Sequence, residues 1–165
     1  GMMGVGKSTV GRRLASLTDR PFIDLDEHVS AKAGKSIQDL FETEGESAFR
    51  AREKRCLVEI LETGVPAIIA LGGGTLLDAE FRSDIRSRAQ VIRLDASVDT
   101  LVKRLKVEQH RPLLRGDGLR NRVHALSTSR AEAYRDVEAS FSTDGDEVHE
   151  TATRLATYSL TGRAA

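Results

Sequence analysis

The chain begins with a complete phosphate-binding loop: residues 1–8 read GMMGVGKS and match the pattern GxxxxGK[ST]. Its glycines let successive backbone N–H groups curl around a phosphate without interference from Cβ atoms. Lys7 supplies a positive charge to the terminal phosphates, and the Ser8 hydroxyl is placed to ligate Mg²⁺. A helix predicted from residue 9 to about residue 17 directs the positive end of its dipole at the same anion. The pattern predicts a nucleoside triphosphate site; a glycine-rich turn before a helix is the alternative.

Apolar segments alternate with helical patterns along the rest of the chain. Short strands are predicted at residues 21–25, 67–71, 90–94 and 139–143. Helices are predicted at residues 36–44, 46–62, 78–88, 97–106, 119–137 and 148–160. Because strands alternate with helices, we expect an α/β domain whose mostly parallel sheet is covered on both faces.

The strand that normally carries such a loop has no counterpart ahead of Gly1. In strand–loop–helix phosphate sites the loop follows a hydrophobic strand, and that strand is usually central in the sheet. We therefore expect the first strand to be missing from this sequence and its two neighbours in the sheet to be exposed.

Composition narrows the function classes. Lysine plus arginine equals aspartate plus glutamate at 25 each, so no global charge attracts nucleic acid or an anionic membrane. The single cysteine excludes an internal disulfide, and no apolar run approaches membrane-spanning length. With only 4% aromatic residues there is no evident interface anchor. We expect one cytoplasmic, monomeric domain that binds neither nucleic acid nor membrane.

Two carboxylates lie near the end of the first predicted strand. Asp24 and Asp26 alternate at its end, and residues two apart on a strand point to the same side. One carboxylate near Mg²⁺ and another near a substrate hydroxyl suits phosphoryl transfer, in which positioning and charge neutralisation dominate. The alternative is that Asp26 only caps a helix that begins near Glu27.

A charged pair and a glycine run come next. Arg50 and Glu53 are three residues apart on a predicted helix and share one face. They form either an exposed salt bridge or a guanidinium fork that Glu53 holds toward a substrate carboxylate. Residues 72–74, GGG, directly follow a predicted buried strand. They suit either close approach of the backbone to a ligand or a tight turn between strand and helix.

Two further arginines are candidates for the site. Arg111 lies in the segment 108–118, whose proline and glycines are typical of a mobile loop. From a loop that folds over the phosphates, an arginine supplies charge to the transition state. Arg130 lies on a predicted helix, as surface charge or as a second carboxylate clamp.

In this order and spacing, these segments resemble the shikimate kinase family. The resemblance is carried by the phosphate loop, Asp24-Leu25-Asp26, Ser36-Ile37 with Phe41, Gly45-Glu46, Phe49-Arg50 with Glu53, Gly72-Gly73-Gly74 and Arg111-Pro112-Leu113-Leu114. The Phe-Arg-x-x-Glu segment and the triple glycine separate this family from adenylate-type and gluconate-type kinases. The resemblance implies a three-layer α/β/α P-loop kinase fold of the nucleoside monophosphate kinase type. It also implies one domain over residues 1–165, with a helical substrate-binding region at 26–63 and a lid at 107–118.

The family implies ATP-dependent phosphorylation of the 3-hydroxyl of shikimate, in the synthesis of chorismate and aromatic amino acids, with ATP and Mg²⁺ bound. By this resemblance the ATP contacts are Gly4, Val5, Gly6, Lys7, Ser8, Thr9, Arg104 and Arg111. The shikimate contacts are Asp26, Arg50, Gly72, Gly73, Gly74 and Arg130. Ser8 ligates Mg²⁺ and Asp24 orients its hydration shell. Lys7, Asp26 and Arg111 take part in the reaction itself, Lys7 by bridging to the transferred group and Asp26 by accepting the reacting proton.

Two further departures from the family pattern concern the site. The family usually has Pro-Leu-Tyr after the arginine at position 130, whereas this chain has Glu132-Ala133-Tyr134. The family often presents an arginine to adenine near residues 143–146, and none is present here, which leaves adenine contacts to Arg104 or to backbone. A non-catalytic ligand-sensing domain of a transcriptional regulator, and another P-loop kinase such as a gluconate kinase, are the alternative functions.

Overall fold

The computed structural model describes residues 1–107 and 118–161. Its strands are β1 (Phe22–Asp24), β2 (Ile68–Ala70), β3 (Ile92–Asp95) and β4 (Ala139–Ser142). Its helices are α1 (Lys7–Thr18), α2 (Leu25–Ala33), α3 (Ile37–Glu62), α4 (Ala79–Arg88), α5 (Val98–Val107), α6 (Leu119–Ser129), α7 (Ala131–Arg135) and α8 (Val148–Thr161). Each predicted strand is present within a few residues of its predicted bounds. The predicted α/β class is confirmed.

All strand pairing in the described ranges is parallel, but it forms two small sheets instead of one. β1 pairs with β2, with Phe22 opposite Ile68, and β3 pairs with β4, with Ile92 opposite Ala139. A groove of about 530 Å³, lined by both β2 and β3, lies between the two pairs. The mostly parallel sheet that we expected is therefore divided into two strand pairs at this groove.

Two apolar clusters support the site from opposite sides. The first surrounds the phosphate loop and joins α1, β3, α5, α6, β4 and α8. Its buried members are Met2, Met3, Val5, Val10, Leu14, Leu94, Leu101, Leu105, Val123, Phe141, Ala152, Leu155 and Tyr158. The second joins α2, α3 and α4, with Leu25, Val29, Leu40, Phe49, Cys56, Leu57, Ile60 and Ile85 buried. Both clusters contribute to the walls of the groove and of the site described below.

Two helices depart from the predicted pattern. α3 is continuous from residue 37 to 62 except at Gly45, whose φ of 81° and ψ of 167° break the helical geometry between the two helices predicted there. Ser36 caps its start by accepting a hydrogen bond from the backbone N–H of Asp39, as the capping pattern predicts. The single helix predicted over residues 119–137 is wrong, because Arg130 ends α6 and precedes α7.

Within residues 1–107 and 118–161, each helix is too short or too polar to cross a membrane.

Candidate active site

The phosphate loop has the conformation that its glycines permit. Gly4 and Gly6 have φ of 74° and 94°, in the left-handed region that side chains other than glycine rarely adopt. A Cβ on Gly4 would also lie 2.9 Å from Cγ of Leu105. Gly6 is the N-cap of α1, and no side chain in the described ranges caps that helix start. The first-turn N–H groups of α1 therefore have no side-chain competitor for an anion.

The Lys7 ammonium is held at the loop itself. Its Nζ donates to the carbonyl oxygens of Gly1 at 3.1 Å and Met2 at 2.8 Å. Neutral carbonyls bind an ammonium more weakly than a charged phosphate oxygen does. Lys7 is therefore at the loop and can exchange these acceptors for a ligand phosphate.

Arg104 forms hydrogen bonds with the loop and with Thr143, the residue that follows β4. Its Nη1 donates to Thr143 Oγ1 at 2.9 Å, with longer contacts to the carbonyls of Gly4 and Val5, and its Nη2 donates to the Thr143 carbonyl at 2.7 Å. Thr143 in turn donates to the Val5 carbonyl at 3.1 Å. Sequence reasoning did not identify Thr143, whose side chain is buried. The predicted adenine contact Arg104 lines the same cavity as the loop while it makes these bonds.

One carboxylate ties the loop to the next helix. The Ser8 hydroxyl donates to Oδ2 of Asp24 at 2.5 Å. Oδ1 of Asp24 accepts from the N–H groups of Asp26 at 3.1 Å and Glu27 at 3.4 Å. Asp24 is therefore the N-cap of α2 as well as the partner of Ser8.

The expectation that Asp24 and Asp26 point the same way through the alternation of a strand is wrong, and so is the alternative that Asp26 caps the helix. β1 ends at Asp24, and Asp26 is the second residue of α2. A strand this short passes the capping role to Asp24, two residues earlier than expected. The two carboxylates nevertheless line one cavity, because the turn from β1 into α2 directs both toward it.

Arg50 is held by a buried carboxylate. Its Nη1 donates to Oε2 of Glu53 at 2.7 Å, and the Glu53 side chain is fully buried. The guanidinium also lies over the Phe49 ring, 5.1 Å from its centroid, and Glu46 is 3.4 Å from its Nη2. About a quarter of the Arg50 side chain, 26%, is exposed. Of the two readings, the exposed salt bridge is excluded, since one partner is fully buried.

The triple-glycine turn packs against side chains of α2 and α3. A Cβ on Gly72 would lie 2.6 Å from Glu53 Oε1 and 3.1 Å from Asp26 Oδ1. A Cβ on Gly74 would lie 2.6 Å from Nη2 of Arg50. At distances below 3.0 Å the polar side chain would have to shift, so these glycines allow the backbone to approach Glu53 and Arg50 as closely as it does.

Arg130 and Tyr134 reach the turn from the opposite side. A Cβ on Gly73 would lie 2.9 Å from Nη1 of Arg130. The Tyr134 hydroxyl donates to the Gly73 carbonyl at 2.7 Å. Burial raises the pKa of Tyr134 above its usual value, and the positive charge of Arg130 opposes that rise. The phenol is therefore a neutral donor. Its bond to Gly73 connects the glycine turn to α7, the helix that follows Arg130. The sequence did not predict this role.

A cavity of about 900 Å³ collects the predicted site residues. Those that line it are Gly4, Val5, Gly6, Lys7, Ser8, Thr9, Asp24, Asp26, Arg50, Gly72, Gly73, Gly74, Arg104 and Arg130. The predicted Arg111 and most of the predicted lid lie outside the described residues. One end of the cavity is a phosphate loop and the other presents Arg50 and Arg130, so the two ends suit two anionic ligands.

Comparison with known proteins identifies one family. The family model described as shikimate kinase matches residues 3–159. The shikimate kinase of Zymomonas mobilis is 41% identical over 134 residues, which cover 81% of this chain and 76% of that protein. The shikimate kinase of Caulobacter vibrioides is 40% identical over 149 residues, which cover 90% and 74%. The solved structure of shikimate kinase from Acinetobacter baumannii in complex with shikimate superposes with a TM-score of 0.90 at 31% identity, covering 100% of this chain and 92% of that one.

Proposed function

Since the chain belongs to the shikimate kinase family, we propose that it transfers the γ-phosphoryl group of ATP to the 3-hydroxyl of shikimate. The products are shikimate 3-phosphate and ADP. The observation that carries this proposal is that the phosphate loop, the carboxylates of Asp24 and Asp26 and the guanidinium groups of Arg50 and Arg130 line one cavity.

The loop end of the cavity binds the ATP phosphates. The open N-terminus of α1 provides N–H donors, and Lys7 moves from its carbonyl partners to the transferred phosphoryl group. Arg104 and Thr143 stabilise the conformation of the loop through their hydrogen bonds to its carbonyls. Arg104 is also our candidate for the adenine side.

Ser8 and Asp24 are the residues that fit Mg²⁺. The ion prefers oxygen ligands, keeps several waters and usually takes only one or two protein ligands beside the phosphates. The described residues contain no cluster of three or more acidic, histidine or cysteine side chains, and such a cluster is not needed for Mg²⁺ at a phosphate site. When bound, Mg²⁺ neutralises charge on the transferred phosphoryl group. Ser8 and Asp24 already lie 2.5 Å apart, which places a hydroxyl and a carboxylate oxygen side by side.

The opposite end binds shikimate. Arg50 and Arg130 form a clamp for the substrate carboxylate, since a guanidinium fork matches a planar carboxylate in a bidentate geometry. Asp26 accepts hydrogen bonds from the substrate hydroxyls and takes the proton of the reacting one. A loose transition state for phosphoryl transfer needs little base catalysis, so positioning is the main contribution of Asp26.

Several further expectations from the sequence belong to this proposal. Arg111 adds positive charge to the transferred group, within a lid at residues 107–118. The chain acts as one domain with its substrate-binding region at 26–63. It works as a cytoplasmic monomer whose partners are ATP and shikimate.

The test is a coupled assay of ADP formation with ATP, Mg²⁺ and shikimate. We expect turnover with shikimate and none with gluconate. ADP formation with gluconate but not with shikimate would overturn the proposal. Binding of shikimate without any ADP formation would favour a ligand-sensing domain instead.

A further inference from the structure

Thr75 follows the triple glycine and has no role in the function proposed above. Its side chain is buried, with 2% exposure. Its hydroxyl lies 2.6 Å from Glu53 Oε1 and 3.0 Å from the Gly72 carbonyl. A hydroxyl has one hydrogen to donate, and the closer, charged acceptor forms the stronger bond. The hydroxyl therefore donates to Glu53.

The two oxygens of Glu53 have separate donors. Oε2 accepts from Arg50 Nη1 at 2.7 Å, and Oε1 accepts from Thr75 at 2.6 Å. Because the Glu53 side chain is fully buried, water cannot replace either donor. Loss of the Thr75 hydroxyl would leave Oε1 a buried carboxylate oxygen without that bond, which is an unfavourable state.

Arg50 already bonds the other oxygen of Glu53, so it is a charged donor that can relieve this state. A guanidinium that already bonds one carboxylate oxygen prefers to bond both, in a bidentate pair. Arg50 would then rotate toward Glu53 and withdraw its second N–H group from the cavity. Space limits any other response, because Gly72 and Gly74 leave no room for even a Cβ beside Glu53 and Arg50.

We propose that Thr75 is a positioning residue for the substrate carboxylate: its hydroxyl keeps one oxygen of Glu53 occupied, so that Arg50 stays directed into the cavity. This inference rests on the proposed function, because it assumes that Arg50 binds the carboxylate of shikimate.

The first experiment compares Thr75→Val, which removes the hydroxyl at nearly constant shape, with Thr75→Ser, which retains it. We expect Thr75→Val to raise KM for shikimate about tenfold, the effect of one bond to a charged group, with KM for ATP unchanged. Thr75→Ser is expected to stay near the wild-type values. Thr18→Val is the matched control, since among the described residues the Thr18 hydroxyl bonds the carbonyls of Leu14 and Ala15 in its own helix.

The second experiment tests whether the effect passes through the carboxylate. The probe is a competitive inhibitor in which a hydroxymethyl group replaces the carboxylate of shikimate. We expect Thr75→Val to leave its inhibition constant unchanged. In an Arg50→Lys background, Thr75→Val is expected to add little to KM for shikimate, because coupled residues are not additive.

The outcomes separate the two proposals. If the wild-type protein forms no ADP with shikimate, the proposed function fails. If it does, but Thr75→Val leaves KM for shikimate unchanged or raises both KM values equally, only the role of Thr75 is refuted. Should Thr75→Val fail to fold, Thr75→Ala is measured in the same way and the same selective rise is expected.

Discussion

Ser8 donates a hydrogen bond of 2.5 Å to Oδ2 of Asp24, while Oδ1 of that carboxylate caps α2. A single side chain thus joins the loop that binds phosphate to the helix that carries Asp26. On the roles proposed above, this short path of covalent and hydrogen bonds helps to set the position of the phosphoryl donor relative to the acceptor hydroxyl.

This dual role makes Asp24→Asn an informative change. The amide oxygen of asparagine still caps a helix well, so the fold is expected to persist. Loss of the negative charge should raise the Mg²⁺ concentration for half-maximal activity about 10- to 100-fold, the usual effect of changing a residue that supports a metal. Activity is measured over a Mg²⁺ titration at saturating ATP and shikimate. Asp19→Asn at the end of α1 is the control, and an unaltered Mg²⁺ titration for Asp24→Asn would exclude the assigned role.

Arg50→Lys tests the carboxylate clamp. Lysine keeps a positive charge beside the buried Glu53 but cannot form the planar fork. Hydrogen bonds to charged groups contribute about 1.5–3 kcal/mol, so we expect KM for shikimate to rise about tenfold or more and KM for ATP to stay constant. Arg55→Lys, on the exposed face of the same helix, is the control. If both KM values of Arg50→Lys rise together, Arg50 is structural.

The parts of this site that were predictable have local signals. The phosphate loop is read from eight consecutive residues, and the cap of α3 from Ser36 and Asp39. The signal at the end of β1 is also local, but it is ambiguous. Asp24 and Asp26 are both good helix caps, so the sequence did not show that Asp24 caps α2 and that Asp26 is the second residue of that helix.

The parts that were missed depend on residues far apart in the chain. Thr75 and Glu53 are 22 residues apart, and Tyr134 and Gly73 are 61 apart. No glycine or proline marks the helix break at Arg130 in the sequence. Periodicity and capping patterns carry no information on such contacts, which exist only once the glycine turn lies between α3 and α7.

Gly74→Ala tests whether that turn is needed for close approach. Gly74 does not have the left-handed backbone, but its Cβ would lie 2.6 Å from Nη2 of Arg50. We expect the guanidinium to be displaced and KM for shikimate to rise, with KM for ATP little changed. In contrast, Gly64 has φ of 65° with nothing within 4 Å of its Cβ. Gly64→Ala should therefore lower Tm through backbone strain of about 1–2 kcal/mol and leave both KM values alone. Equal kinetic effects of the two variants would contradict the close-approach argument.

Tyr134→Phe removes the bond from Tyr134 to the Gly73 carbonyl. A neutral hydrogen bond contributes about 1 kcal/mol. Without it the position of Arg130 is less restrained, so we expect KM for shikimate to rise a few-fold. Tyr158→Phe, in the apolar cluster beneath Phe141, is the control and should leave KM unchanged. Steady-state kinetics at constant ATP decides the matter, and a wild-type KM for Tyr134→Phe would show that the phenol does not position the clamp.

Asp136 gives the fold a predictable response to acid. It accepts hydrogen bonds from Arg82 and Arg86, and the bond from Arg82, at 2.9 Å, is the main cause that lowers the pKa of Asp136. A carboxyl group whose pKa is lower in the folded state stabilises that state above its unfolded pKa. The stabilisation is lost as the pH falls from the unfolded value of about 4 through the folded one. Asp136→Asn should therefore be less stable than the wild type at about pH 7, and the difference should shrink toward about pH 3.

Urea denaturation of both proteins across that pH range measures the convergence. Asp84→Asn is the control for removal of a carboxylate from the same surface. Asp84 pairs with Arg88, four residues later, and the two side chains are 42% and 41% exposed. Such an exposed pair contributes little to stability, so its removal should shift the urea midpoint less than Asp136→Asn does near neutral pH. A constant difference between Asp136→Asn and the wild type at every pH would show that the ionised carboxylate of Asp136 is not what holds Arg82 and Arg86.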